Sequence, residues 1–237
     1  MYTSLIRNGS YAPAIDKGES ELKDGYRTLL REGAREFIVN KSRFIGYGAP
    51  CRSEEEALSF LARIRAKHKD ASHNCYAYVI GENAGIMRYS DDGEPGGTAG
   101  LPIIEVIRAW EIVDCAVVVT RYFGGVLLGT GGLVRAYTEG CKSALEASGI
   151  VTMRKTVRIL AEVDYSTWQR LQYALQRLPC LIENTEYAVT VITTLLVSVA
   201  LEKSVEDEII RISDGRASLL REEELYYPWP EDEDRNK

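Results

Sequence analysis

The sequence is poor in several things that would decide its class at once. It has two histidines and five cysteines, and the cysteines (51, 75, 115, 141 and 180) are scattered, with no C-x-x-C among them. An odd, dispersed set does not make a disulfide framework and points to buried thiols in a reducing compartment. Long apolar runs are missing too. The longest, Val189 to Leu201, is interrupted by three threonines and one serine. It falls short of the ~20 residues that cross a bilayer, so no membrane span is expected. Met1 to Tyr11 lacks the apolar stretch of a secretion signal, and a cytoplasmic location follows as the expectation. A large excess of cations is also absent. The net charge is −6, which removes the simplest argument for nucleic-acid binding.

The 237 residues, 45% hydrophobic and 27% charged, suit a globular protein of one or two domains. The negative charge is uneven: residues 1–150 carry −1 and residues 151–237 carry −5. Residues 1–35 are polar and glycine-punctuated and read as an extension. Residues 228–237 form an acidic tail. Between them the reading places two domains, 36–152 and 153–227, with an exposed linker near Thr152–Lys155.

In the first domain, Glu36–Val39 and Arg43–Tyr47 read as short strands. Ser53 and Glu56 form a capping box ahead of a helix over Glu54–Lys69. Strands follow at Cys75–Ile80 and Ile86–Tyr89, a helix near Leu101–Trp110, and a β-branched buried strand at Cys115–Thr120. Phe123–Gly132 is then a glycine-rich loop before a helix over Leu133–Ala147. The second domain reads as strand Val157–Val163, a helix ending by Pro179, strands Leu181–Tyr187 and Val189–Ala200, a helix capped by Ser204, and strand Ala217–Tyr226. That is the β-α-β-β-α-β order of ferredoxin-like domains. The fold class is α+β.

Three segments stand out together: His73-Asn74-Cys75, the stretch Ser90-Asp91-Asp92-Gly93-Glu94-Pro95-Gly96-Gly97-Thr98-Ala99-Gly100-Leu101-Pro102, and the stretch from Val119 to Tyr137. Lys41-Ser42-Arg43-Phe44 precedes them. Over Glu36 to Tyr226 the chain resembles the YigZ/Impact family. That resemblance implies an N-terminal Impact domain with the fold of the second domain of ribosomal protein S5. It implies a C-terminal domain similar to one of translation elongation factor G. Eukaryotic Impact proteins act in translational control through a partner of the amino-acid-starvation kinase, using an extra N-terminal domain. The 35 polar residues here are too few to be that domain, so the kinase role is not carried over.

The glycine-rich motifs read equally as anion sites and as tight turns that pack near one another. Gly96-Gly97-Thr98 and Gly129-Thr130-Gly131-Gly132 each precede an expected helix, where free amides and close backbone approach favour a negative group. Neither loop has the lysine of a phosphate-binding P-loop nor the G-x-G-x-x-G spacing of a dinucleotide site. Arg121 and Arg135 flank the second loop. His73 and Cys75 share a strand face, with Cys75 expected in the core and His73 at a strand entrance. Asp91, Asp92 and Glu94 read as turn residues or carboxylates that balance Arg121. Tyr122 and Phe123, with Tyr76, Tyr78 and Tyr89, sit where aromatics mostly belong to the core, with base stacking as the lesser reading. Basic residues cluster at Arg63, Arg65, Lys67 and Lys69, and six more lie between Arg121 and Arg158. The candidate anion- or nucleic-acid-binding set is His73, Asp91, Glu94, Thr98, Arg121, Tyr122, Gly131, Gly132 and Arg135. No catalytic residue, metal or cofactor is assigned.

These readings favour a protein that associates with RNA or the ribosome, with a protein partner beside it, over an enzyme. The alternative is an enzyme acting on a phosphorylated or otherwise anionic small molecule, in a cleft between loops 90–100 and 123–132. Both versions expect those loops to meet at one end of the sheet.

Overall fold

The computed structural model describes residues 25–229. They form two compact units, Gly25–Met153 and Arg154–Tyr227. The elements of the first are β1 (Gly25–Leu29), β2 (Gly33–Val39), β3 (Ser42–Pro50), α1 (Glu54–Lys67), β4 (His73–Ile80), β5 (Ile86–Ser90), α2 (Gly100–Ala109), β6 (Cys115–Tyr122) and α3 (Gly129–Ser148). Strand β7 (Ile150–Val163) then leads to α4 (Tyr165–Leu175), β8 (Cys180–Tyr187), β9 (Val191–Ser198), α5 (Glu202–Ile212) and β10 (Ser218–Trp229).

In the first unit an antiparallel sheet runs β2-β3-β6-β4-β5. Its two faces are both covered, and the alternation of side chains shows why. Ala116 and Val118 of β6 pack with Ile45, Tyr47 and Tyr78 beneath Ala57, Phe60, Leu61 and Ile64 of α1. Val117 and Val119 point the other way, joining Phe44 and Ala77 under Ile103 and Ile107 of α2 and Tyr137 and Cys141 of α3. A central strand buried on both sides needs apolar residues on both faces, which Ala116–Val119 of β6 supply before buried Thr120 and Arg121. Helix α3 lies against the sheet glycine to glycine. A Cβ on Gly46 would fall 2.2 Å from the Gly140 carbonyl oxygen.

In the second unit β9 lies antiparallel to both β7 and β8, and β10 pairs with β7. Alternate residues of β7, namely Val157, Ile159 and Ala161, meet Trp168, Leu171, Leu175, Val205 and Ile209 of its two helices. The order of elements is β-α-β-β-α-β.

Several expectations are corrected. The extension stops short of residue 35, because Gly25–Leu29 and Gly33–Val39 are strands. Residues 1–24 and 230–237, which include most of the expected tail, lie outside the described residues. No linker occupies Thr152–Lys155; β7 runs through it without a break. The Ser53 hydroxyl caps α1 by accepting from the Glu56 amide, but the Glu56 carboxylate accepts from the Arg52 amide rather than closing the box. Ser204 lies inside α5, whose start carries no side-chain cap. Helix α3 begins at Gly129, so Gly131 and Gly132 sit in its first turn instead of in a loop before it.

Candidate functional site

The register of the first sheet sets four side chains in a row across β2, β3, β6 and β4. Phe37 pairs with Phe44, Phe44 with Arg121, and Arg121 with His73. The row lies near the strand ends from which the long loops leave. The rings of Phe37 and Phe44 stack with centroids 5.4 Å apart. The Arg121 guanidinium carbon sits 5.5 Å from the Phe44 ring and 5.5 Å from the ring of Phe123, so the charge is held between two aromatic faces.

Arg121 is nevertheless buried, at 5% exposure, and its charge is met from loop 90–100. Its Nη1 donates to Glu94 Oε1 at 2.7 Å, and Nη2 to the Ser42 hydroxyl at 3.3 Å. The Tyr137 hydroxyl of α3 donates to the same Glu94 oxygen at 2.8 Å. Burial, with Cys75 and Glu94 nearby, holds the Tyr137 hydroxyl far above its ordinary pKa, so it remains a neutral donor. His73 completes the group, with Nε2 3.8 Å from Glu94 Oε1 and Nδ1 2.8 Å from the Asp92 carbonyl oxygen. One donor is left over: Arg121 Nε is buried with no partner.

The other candidates fall elsewhere. The Asp91 carboxylate accepts from the amides of Gly97, Ala99 and Gly100 at 2.8–3.0 Å, which fills the N-terminus of α2 with an internal anion. Thr98 is buried and its hydroxyl donates to the Pro95 carbonyl within the same turn. The expectation of an external anion at Thr98 is therefore replaced by Asp91 itself. Asp92 accepts from the Asn74 amide at 2.6 Å and lies 3.4 Å from Arg65. Tyr122 is one residue past Arg121 and so faces the opposite side of the sheet. Its hydroxyl meets His68 Nδ1 at 2.8 Å and donates to Asp70 at 3.3 Å.

His68 is in turn bonded through Nε2 to the Tyr47 hydroxyl at 2.7 Å. Burial, then Lys67 and Arg43, lower its pKa and keep it neutral.

Gly131, Gly132 and Arg135 share the start of α3. That helix has neither a side-chain cap nor an acid in its first turn. Arg135 is exposed and leans back over it, with Nη1 3.7 Å from where a Gly131 Cβ would lie. Arg135 also borders a groove of about 370 Å³ lined by Phe37, Val39, Leu128 and Glu139. The preceding loop locks onto the β2–β3 turn: a Cβ on Gly124 would fall 2.0 Å from the Lys41 carbonyl. Lys41 is held there at φ +65°, a conformation that costs energy in any residue with a side chain.

Several of the clustered basic residues are neutralised by acids. Arg63 is paired bidentately with Glu32, Arg65 with Asp92, Arg158 with Glu183 and Glu223, and Lys155 with Glu224. The structure thus brings His73, Glu94 and Arg121 together, and separately gathers Gly131, Gly132 and Arg135. Sequence reasoning missed Ser42, Phe44 and Tyr137 as members of the first group. Their signal was present in Lys41-Ser42-Arg43-Phe44 and in the tyrosine that closes the third motif. Among the described residues no cluster of three or more metal-ligating side chains exists, and no helix is long and apolar enough to cross a membrane.

This two-unit α+β chain is similar to known proteins. Residues 40–145 match the Impact N-terminal domain and residues 162–216 match a domain of unknown function (DUF1949). IMPACT family member YvyE of Bacillus subtilis (strain 168) is 37% identical over 203 residues, covering 85% of this chain and 93% of that one. IMPACT family member YigZ of Escherichia coli (strain K12) is 35% identical over 190 residues, covering 78% and 92%. A crystal structure of a hypothetical protein superposes with a TM-score of 0.53 at 30% identity, covering 84% of this chain and 98% of that one. The chain belongs to the IMPACT family.

Proposed function

We propose that this chain acts in translation by contacting RNA, on the ribosome or free in the cytoplasm, through the loop 123–129 end of its first unit. The observation that carries the reading is the contrast between two helix starts. That of α2 is filled by Asp91, whereas that of α3 is uncapped and solvent-facing, with Arg135 over it and Lys41 beside the loop that leads to it. No acid occurs between Tyr122 and Thr138 in a chain of net charge −6. Lys41 and Arg135 make no ion pair among the described residues. Phe123 is 48% exposed and Leu127 84% exposed, so the cations are interleaved with apolar surface on which bases can stack.

Family membership supports the translational setting. The finer fold reading belongs to the same proposal. We read the second unit as ferredoxin-like and the first as similar to the second domain of ribosomal protein S5, and both resemblances favour RNA by analogy.

Co-sedimentation with ribosomes at graded salt tests the reading. Binding should weaken steeply with salt as counterions are released, and K41E with R135E should lower the logarithmic slope by about 0.7 per lost contact to a single strand. Absence of binding at low salt sinks the proposal.

A further inference from the structure

We propose that Glu94 is an internal stand-in for a ligand, and that a phosphate group displaces it from Arg121. Three features carry this. First, the donors converge on one point. Arg121 Nη1 and the Tyr137 hydroxyl both meet Glu94 Oε1, His73 Nε2 lies 3.8 Å from the same atom, and Ser42 adjoins Nη2. A cradle of arginine, tyrosine, histidine and serine suits an oxyanion. Second, the carboxylate leaves that cradle incomplete. Arg121 Nε is unpartnered in a residue only 5% exposed, and Thr167 Oγ1 is the other buried polar side-chain atom without a partner among the described residues. A guanidinium presents its N–H groups as a fork, and phosphate has oxygens enough to use more of them than one carboxylate oxygen does.

Third, Glu94 is mounted to leave. It follows Gly93 at φ +87° and precedes Gly96 and Gly97, the latter at φ +76°. A Cβ on Gly96 would meet nothing within 4 Å. Downstream the loop is pinned, since Asp91 holds the Gly97, Ala99 and Gly100 amides on α2. Swinging the segment between Gly93 and Gly96 opens the bond from the Glu94 amide to the Asp91 carbonyl and those from Thr98 to the Pro95 carbonyl, leaves the Asp91 bonds to α2 in place, and returns the Glu94 carboxylate to water. Phe123, half exposed, covers the guanidinium from the solvent side. The phosphate is that of an RNA strand or of a free small molecule. Only the choice between those sources rests on the RNA reading above.

The test uses the full chain and inorganic phosphate, with chloride at matched ionic strength as control. Thermal unfolding of wild type, E94Q and R121M is followed against phosphate concentration. Phosphate should raise the melting temperature of E94Q with an apparent Kd about tenfold lower than for wild type, because the competing carboxylate charge is gone. R121M should show no phosphate effect. Equal phosphate responses in E94Q and wild type overturn the proposal. Should E94Q fail to fold in chloride, its recovery in phosphate supports the stand-in role. In that event E94D, which retracts the carboxylate by one methylene, should show an intermediate gain. Failure of both variants to respond to phosphate overturns the proposal as well.

A single-stranded RNA oligomer then replaces phosphate. Tighter RNA binding by E94Q identifies a backbone phosphate, and a gain for inorganic phosphate alone identifies a small anion. Ribosome co-sedimentation of wild type against K41E with R135E is independent of Glu94, so the RNA reading can fail while this inference stands, and the reverse.

Discussion

In the first unit a full positive and a full negative charge lie side by side inside the protein, Arg121 and Glu94 at 5% and 8% exposure. In the second unit the buried polar side chains are uncharged threonines and serines, and charge contacts are more exposed, as where Arg158 is held by Glu183 and Glu223. Both units close a sheet with helices, and among the described residues only the first holds an ion pair with both side chains below a tenth exposed. Burying one is expensive, and well-packed apolar residues stabilise as well or better. Stability alone therefore gives no reason for the pair in the first unit.

Breaking the contrast from its strong side should give the largest effect. Arg121→Met leaves Glu94 buried without its cation and should cost about 3–5 kcal/mol in urea unfolding. Replacing Arg121 by Met and Glu94 by Leu together should recover most of that loss. A double variant as weak as the single one would mean that packing, not charge, holds the site. Gly46→Ala, where a methyl meets the Gly140 carbonyl, should cost about 1–3 kcal/mol or force α3 to shift. Asp91→Asn weakens the anion at the start of α2 and should cost about 0.5–2 kcal/mol, with faster amide exchange at Gly97, Ala99 and Gly100. Arg158→Met, the surface counterpart, should cost about 0–1 kcal/mol in the same assay. Similar losses for Arg121 and Arg158 would erase the distinction between the units.

Acid sharpens the comparison further. His68 is held neutral in the fold, with its pKa below the ordinary 6.5, so protonation favours the unfolded chain. Its contribution is complete above about pH 6.5 and is lost as pH falls toward the folded value. In the second unit Asp164 caps α4, and its hydrogen bonds to Ser166 and the Thr167 amide pull its pKa from 3.8 to about 2. Its contribution stays complete down to pH 3.8 and is lost as pH falls through about 2. Hydrogen exchange read unit by unit should show the first unit loosening in mild acid before the second, and H68Q should remove that early step. Simultaneous loosening in wild type would refute the assignment to His68.

Much of the framework is legible in the sequence because it is written locally. The Ser53 cap, the period of α1 and the β-branched run of β6 all report on neighbours within a few residues. The site was legible only in part. Arg121 and Glu94 are 27 residues apart, and their meeting depends on the β4–β6 register, which no local pattern encodes. Tyr122 was misplaced for a simple reason: adjacent residues on a strand face opposite ways, so it and Arg121 could not both join one site. Asp91 reads as a turn residue in sequence, and only the fold shows that its carboxylate takes the place expected for an external anion. The extension was drawn too long because β1 and β2 are short and glycine-bounded, with none of the sustained alternation that marks a half-buried strand.

The five thiols have a use that their inertness creates. All are buried, and burial pushes Cys51 and Cys180 up to about 12, so scarcely any thiolate is present at neutral pH. A thiol reagent can therefore modify them only during moments of opening, and each labelling rate becomes a clock for the segment around it. Cys180 times the second unit. Cys75, whose Sγ donates to the Asp91 carbonyl at 3.0 Å, times the loop that carries Glu94. A single-cysteine version of this chain, exposed to such a reagent, would thus report from inside how often that loop lets go.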